Sequence, residues 1–285
     1  MNFNLAVIKI GCIASSPLLE LIFDERAERS DFHVRVFSSG AKMDPESCIK
    51  ATEVWGEFKP DLAIIVSPNA SLSGPSETRV KLCDIGIPVI SISDAPSKKA
   101  WQTKDESGKQ VTQVNKNEGF IIVPSDSMIG ARAEFLDPTE MALFNADAIK
   151  VLSVCGIIRA LQEIIGDVID DIEKGNDQRL PTITLTSELA VQYAKFNNPY
   201  AKAKAFAALT IAESVASITA KACFKTEKSD DYIPMVAAGH EMMRSAAKLA
   251  DEAREIEKSQ DTVYRTPHSS DGRIKGKERL LEKPK

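Results

Sequence analysis

Through the first half of the chain, short apolar runs alternate with stretches whose apolar residues recur every three or four positions. The runs at residues 5–10, 33–37, 62–66, 89–92 and 120–123 have the length and β-branched content of strands. Most are apolar at successive rather than alternate positions, which predicts strands buried on both faces of a parallel sheet. Residues 17–28, 45–58 and 75–85 between them carry helical spacing. Alternation of strand and helix predicts right-handed βαβ units and an open, doubly wound, mainly parallel α/β sheet.

The pattern changes after Asp137-Pro138. Residues 138–174 read as one long helix, 198–222 as an alanine-rich second and 232–258 as a third that ends in a charged run. The tail holds a Ser-Ser-Asp-Gly turn between short runs, which suggests a hairpin too polar to fold without docking on something. The expected organisation is therefore a Rossmann-like α/β domain over residues 1–137, a helical bundle over 138–262 and a short C-terminal β-segment over 263–285. Residues 97–118, SKKAWQTKDESGKQVTQVNKNE, read as a polar excursion, exposed or mobile.

Composition narrows the function. A chain of 285 residues with 43% apolar and 27% charged residues can bury an ordinary core. A net charge of −5 and 6% aromatic residues argue against nucleic acid as a partner. No apolar run reaches the roughly 18–20 residues of a membrane span. The start, MNFNLAVIKIG, does not read as a signal peptide, so a cytoplasmic protein with no membrane partner is expected. The five cysteines form no CxxC and match no zinc pattern, so no metal is expected.

In an open parallel sheet, ligands bind beyond the carboxyl ends of the strands. The segments that follow the predicted strands are GCIASS (11–16), SSGAKM (38–43), SPNASLSGP (67–75), SDAPS (93–97) and PSDSMIGAR (124–132), all rich in small polar residues. Such turns cap helices, and their amides also make sites for phosphate or another anion. GCIASS is the best candidate for an anion site. GxGxxG and GxxxxGK[ST] are both missing. His33, His240 and His268 have structural readings as their default, and no acid–base pair or nucleophile stands out.

Several segments resemble the archaeal F420-dependent methylenetetrahydromethanopterin dehydrogenases. They are GAKMDP (40–45), SPN (67–69) followed by GP (74–75), SDAP (93–96), IGARAEFLDPTEMALFNAD (129–147), NPYAKAKA (198–205), AGHEMMRSAAKLADEAREIEKSQDTV (238–263) and RTPH (265–268), spread over essentially the whole chain. The resemblance implies reversible hydride transfer between coenzyme F420, a deazaflavin, and methenyl-/methylene-tetrahydromethanopterin, a one-carbon carrier. It implies a homo-oligomer, typically a hexamer built as a trimer of dimers, with its active site in a cleft near a subunit interface. Such chemistry needs orientation and electrostatics more than proton transfer, which fits the lack of an acid–base pair.

Carried over by position, the resemblance puts Gly11, Cys12, Ile13 and Ser15 of the first loop at the deazaflavin. Ser67, Pro68, Asn69, Asp94 and Ala95 join them at the same rim. Arg132, Glu134 and Asp147 would supply orientation and electrostatics, and Phe135 and Asn145 would bind the pterin, where the two modules meet. Three loops depart from the family pattern. Cys12 and Ala14 replace Asn and Gly in a KxGNxGxS-like loop, residues 70–73 lack an APGP-like end, and the excursion at 97–118 looks long. An alanine for a glycine is costly if φ is positive there. These departures keep a second reading open, a non-catalytic or altered-cofactor relative with a remodelled cofactor rim.

Overall fold

The computed structural model describes residues 2–53, 55–176 and 179–285. Two compact units form from interleaved stretches of the chain. The first gathers Met1–Cys12, Leu19–Val123 and Ile164–Thr184, and the second Ile13–Leu18, Pro124–Glu163 and Leu185–Lys285.

The apolar runs are strands, β1 (Phe3–Lys9), β2 (Phe32–Ser38), β3 (Leu62–Ser67) and β4 (Val89–Ser93). Helices α1 (Ser15–Asp24), α2 (Pro45–Glu53) and α3 (Ser73–Asp84) follow the first three. Val54, within the stretch 45–58 read as helical, lies outside the described residues. The excursion holds two short strands, β5 (Gln102–Lys104) and β6 (Gln110–Thr112), and then β7 (Glu118–Ile122) returns to the sheet. A sixth strand of that sheet, β8 (Thr182–Thr184), comes from the helix-rich half, where little sheet was expected. Three residues reading TIT are too short to show a period.

The order β2-β1-β3-β4-β7-β8 is parallel throughout. Every residue of β3, β4 and β7 is buried, which explains their continuous apolar reading. The edge strand β2 is mostly exposed. Because β1 has β2 on one side and β3 on the other, the sheet reverses its winding direction at β1. In open parallel sheets, ligands bind beyond the carboxyl ends of the strands at such a reversal, here those of β1 and β3.

The excursion is anchored at its base. Trp101 is buried and stacks on Phe120 with ring centroids 4.4 Å apart, and Val114 packs on the same cluster. Most of the excursion, including the β5–β6 hairpin and its Asp105–Lys109 turn, is exposed as expected, while Ser97, Trp101 and Glu118 are buried. Alternating polarity hid the anchor, because one tryptophan carries most of it.

In the second unit α4 (Pro138–Val154) begins where the pattern changed. Asp137 caps it by accepting the Glu140 N–H at 2.8 Å, and Pro138 stands in its first turn. The helix expected over 138–174 is in fact two, since α5 (Ile157–Glu173) leaves α4 at a 66° bend. Gly156 makes the bend with φ +106°. Then come α6 (Ser187–Ala194), α7 (Pro199–Phe224) and α8 (Ser229–Ser259). Asn198 caps α7 through the amides of Tyr200 and Ala201. By length and composition α7 is apolar enough to cross a membrane, which the run-length reading missed because Lys204 and Glu213 interrupt it. Its buried small face, Ala201, Ala205, Ala208, Ala212 and Thr219 among others, serves a helix bundle with α8. Gly239 of α8 permits the close approach, because a Cβ there would stand 2.7 Å from Thr219 Cγ2.

The tail forms antiparallel bridges, Arg265 with Lys277 and His268 with Ile274. It docks as expected. The Arg159 guanidinium donates to the Tyr264 carbonyl at 2.5 Å, and Gln162 and Thr266 exchange two hydrogen bonds.

Candidate active site

The strand-end loops of the first unit are tied together beyond the carboxyl ends of β1, β2 and β3. Gly11 N–H donates to the Gly40 carbonyl at 3.0 Å. A Cβ on Gly11 would lie 3.1 Å from both Met43 Sδ and Pro68 Cδ, and its φ is +73°. The loops after β1, β2 and β3 therefore meet at Gly11, and only glycine satisfies both the space and the backbone. Gly74 closes the other side, where a Cβ would stand 2.7 Å from Cys48 Sγ.

The loop after β4 is fastened to the loop after β3 by hydroxyls. Ala70 N–H donates to Ser93 Oγ at 3.1 Å and to Ser97 Oγ at 2.8 Å, and Ser93 Oγ also donates to the Ser67 carbonyl. Beneath them lies a buried ion pair, Arg79 Nε to Glu118 Oε1 at 2.5 Å. Arg79 also donates to the Ala70 carbonyl at 3.1 Å, and Glu118 accepts from the Trp101 indole and the Asn115 side chain. The cation and the excursion thus hold the loop that carries Asn69. Burial is the main influence on Arg79 and lowers its pKa, and the Glu118 charge opposes that.

The positions expected at a cofactor rim divide by access. Cys12, Pro68 and Asn69 are partly exposed and Ala95 is exposed, whereas Gly11, Ile13, Ser15, Ser67 and Asp94 are buried. Asp94 accepts the Ala95 N–H at 2.5 Å and so caps the 3-10 helix Ala95–Trp101. Asn69 accepts from the Ser71 amide and hydroxyl. The accessible groups are a thiol, a proline ring, an amide and a methyl. This uncharged set fits a flat heterocycle whose polar edge takes a few hydrogen bonds.

Ile13 and Ser15 belong to the second unit, and there the anion-site expectation for GCIASS needs correction. The amides at the N-terminus of α1 already hold a carboxylate of the chain itself. Ala14 N–H donates to Asp126 Oδ1 at 3.0 Å and Ser15 N–H to Asp126 Oδ2 at 2.8 Å. Asp126 is fully buried. Desolvation pushes its pKa up to about 6, against the opposing pull of the Ser15 hydroxyl and the two amides. The remodelled loop is also less costly than its sequence suggested. Ala14 is not among the residues with positive φ, so a side chain is tolerated there without strain.

Arg132, Glu134 and Phe135 are brought together around α8. The Arg132 guanidinium donates to the Ala222 carbonyl at 3.1 Å and the Thr226 carbonyl at 2.6 Å, and it lies 4.1 Å over the Tyr232 ring. It therefore closes the carboxyl end of α7. Glu134 is exposed. Its own backbone amide first, and then the Tyr232 hydroxyl, keep its carboxyl below the ordinary range. Phe135 meets the His240 ring edge-on at 5.1 Å. His240 Nδ1 lies 3.5 Å from Glu140 Oε2, and burial lowers the imidazole pKa, so the ring is neutral at pH 7. Asn145 donates to the Met141 carbonyl one turn back along α4. Asp147 has its pKa raised, chiefly by burial, with Lys150 and Arg244 opposing the shift.

Sequence reasoning missed Asp126 and Tyr232, while His240 packs between Phe135 and Phe144, in line with its structural reading. Asp126 left a signal, as a carboxylate in a strand-end loop of small residues like Asp94. Among the described residues, no group of three or more His, Cys, Asp or Glu is placed to hold a metal.

A sequence profile for methylene-5,6,7,8-tetrahydromethanopterin dehydrogenase matches residues 3–285. The F420-dependent methylenetetrahydromethanopterin dehydrogenases of Archaeoglobus fulgidus and Methanocaldococcus jannaschii are 55% and 49% identical to this chain, over 100% of each chain. A solved structure of F420 dependent methylene-tetrahydromethanopterin dehydrogenase, in complex with methylene-tetrahydromethanopterin and coenzyme F420, is 40% identical. It superposes with a TM-score of 0.90 over 100% of both chains. With the same loops, bundle and tail matched from one end to the other, this chain belongs to the methylene-5,6,7,8-tetrahydromethanopterin dehydrogenase family.

Proposed function

We propose that this protein is an F420-dependent dehydrogenase that moves a hydride reversibly between F420 and the methenyl/methylene carbon of tetrahydromethanopterin. The observation that carries this reading is the full-length match, at 40% identity and a TM-score of 0.90, to an enzyme solved with both partners bound. Reduced F420, when bound, supplies the hydride. The chain's own residues orient the two rings and match the charge that changes.

The cofactor loops are read as Gly11–Cys12–Ile13 with Ser15, Ser67–Pro68–Asn69, and Asp94–Ala95. Within this set Cys12, Pro68, Asn69 and Ala95 offer the accessible contacts, and the buried members fix the loops. Phe135 and Asn145 are read as pterin contacts. Glu134 is the carboxylate suited to a cationic methenyl centre, because it is exposed and stays ionised at neutral pH. Arg132 holds the segment that carries it, and Asp147 is read as a further electrostatic contributor. The altered-cofactor reading is not favoured, since Ala14 is unstrained and the match to F420-dependent relatives runs over the whole chain.

A cytoplasmic homo-oligomer, a hexamer assembled as a trimer of dimers, completes the proposal. Its support is the outer stripe of α7, where Ala203, Phe206, Thr210, Ser214, Ser217 and Phe224 are exposed. This stripe of small and aromatic residues, with Lys221 as its exposed charge, suits a second copy of the chain. Sedimentation at micromolar concentration should give an oligomeric mass, and a monomer would remove this part.

Mixing the purified protein with reduced F420 and methenyl-tetrahydromethanopterin should oxidise the deazaflavin, followed by its absorbance, and the reverse mixture should reduce it. Folded protein inactive in both directions would overturn the assignment. Gly11→Ala tests the loop junction. A side chain at this positive φ costs about 1–2 kcal/mol, and the new methyl must displace Met43 or Pro68. The KM for F420 is expected to rise by about tenfold or more, the equivalent of about 1.4 kcal/mol, in initial-rate measurements on a protein that still folds.

A further inference from the structure

The carboxylate of Asp126 sits where an anion would bind at the start of α1, a helix with no acidic residue in its own first turn. It accepts two consecutive amides, from Ala14 and Ser15, across 112 and 111 positions of sequence. We propose that Asp126 is a positioning residue for the cofactor loop, whose ionised carboxylate clamps the Ala14 and Ser15 amides and so sets the shape of residues 12–15 in which F420 binds. This rests on the reading above, that the loop contacts F420.

Closing the amides at the start of α1 is one motive for the clamp, and burial opposes it. The carboxylate is fully buried, and what acts on it is burial, the Ser15 hydroxyl and the two amides, none of them a charged side chain. Burial without a cationic partner opposes ionisation. The sign follows from the direction of the shift. The folded protein holds the Asp126 proton up to about pH 6 and the unfolded chain only to its ordinary 3.8, so this stabilising contribution is lost as pH rises between the two values. At neutral pH the ionised clamp therefore stands at a cost to stability. That cost is understandable if the loop geometry it enforces is used.

The surroundings give a second state. The Ser15 hydroxyl faces the carboxylate without closing a well-directed hydrogen bond, and the buried hydroxyls of Ser16 and Ser125 make none. A protonated Asp126 can donate to the Ser15 hydroxyl, but its O–H oxygen is then a poor acceptor for one of the two amides. One tie to the loop weakens, and the amide it held is left short of a partner.

Three measurements on the full chain test this. In wild type, the KM for F420 should rise as pH falls through about 6, with kcat changing little. Asp126→Asn replaces one acceptor oxygen by an NH2 that faces an amide. Loss of a charge-assisted bond should raise the KM for F420 by about tenfold or more at pH 7.5, and the variant's profile should be flat. Ser15→Ala keeps the amide and removes the hydroxyl that favours the ionised form, so its KM rise should move to higher pH. Hydrogen exchange of the peptide that carries residues 11–18, corrected for intrinsic rate, should lose protection in wild type between pH 7 and pH 5. A folded Asp126→Asn with wild-type KM and profile would overturn the proposal, as would unchanged protection. If Asp126→Asn does not fold, Ser15→Ala and the exchange of wild type decide. Failure of wild type to bind F420 at any pH would instead overturn the functional reading, and exchange alone would then judge the clamp.

Discussion

Replacing Glu118 by alanine is expected to remove about 3–5 kcal/mol from the stability of the sheet-bearing unit, the usual cost of stranding one partner of a buried ion pair. Arg79 and Glu118 are both almost fully buried. The substitution leaves the guanidinium without its counter-charge, the Trp101 indole without an acceptor and the Asn115 side chain without a bond. Intrinsic tryptophan fluorescence reads this directly, because both tryptophans, Trp55 and Trp101, lie in that unit. Its unfolding midpoint in denaturant should fall sharply. A double variant, Arg79→Met with Glu118→Leu, should recover more than half of the loss, since an apolar pair of similar volume often matches a buried ion pair. If the single variant unfolds like wild type, the network does not hold the loop at Ala70.

A comparable loss is expected in the other unit from Gly156→Ala, about 2–5 kcal/mol from a positive-φ backbone and an overfilled contact together. At φ +106° a Cβ would overlap the Ala190 carbonyl and stand 2.8 Å from the Ala194 amide, both backbone atoms of α6. Neither can yield by a change of rotamer, so α6 or the bend must move. The four tyrosines, Tyr193, Tyr200, Tyr232 and Tyr264, all lie in this unit, so their near-UV circular dichroism follows it. Gly175→Ala, in the sheet-bearing unit and followed there by tryptophan fluorescence, is the control for the backbone cost alone. It also has positive φ, +68°, but its Cβ would meet nothing within 4 Å. Its cost should stay near the 1–2 kcal/mol of the backbone alone. Equal effects of the two substitutions would show that the packing against α6 does not matter.

Both predictions fall on features that local pattern could not show. The stretch 138–174 keeps one amphipathic period across Gly156, and a lone glycine is tolerated in a helix, so the bend was invisible. Residues 97–118 are polar at most positions, which hid one tryptophan and one glutamate that bind the excursion to the sheet. At the site the loops were legible because strand ends, small residues and family motifs coincide there. What each loop does was not. Asp94 serves as a helix cap, and the GCIASS amides, expected to await an anion, are taken by Asp126.

The sequence by itself determined the strands buried on both faces, the winding of a parallel sheet, the start of α4 at Pro138 and the family. Continuous apolar runs and proline caps are local signals, and the motifs are long. Tertiary structure alone decided the order β2-β1-β3-β4-β7-β8, the recruitment of β8, the bend at Gly156 and the Asp126 clamp. These depend on contacts between residues tens to more than a hundred positions apart. A hydrogen bond or a steric limit at that separation leaves no period in the chain, because its cause lies in the partner that folding brings to it.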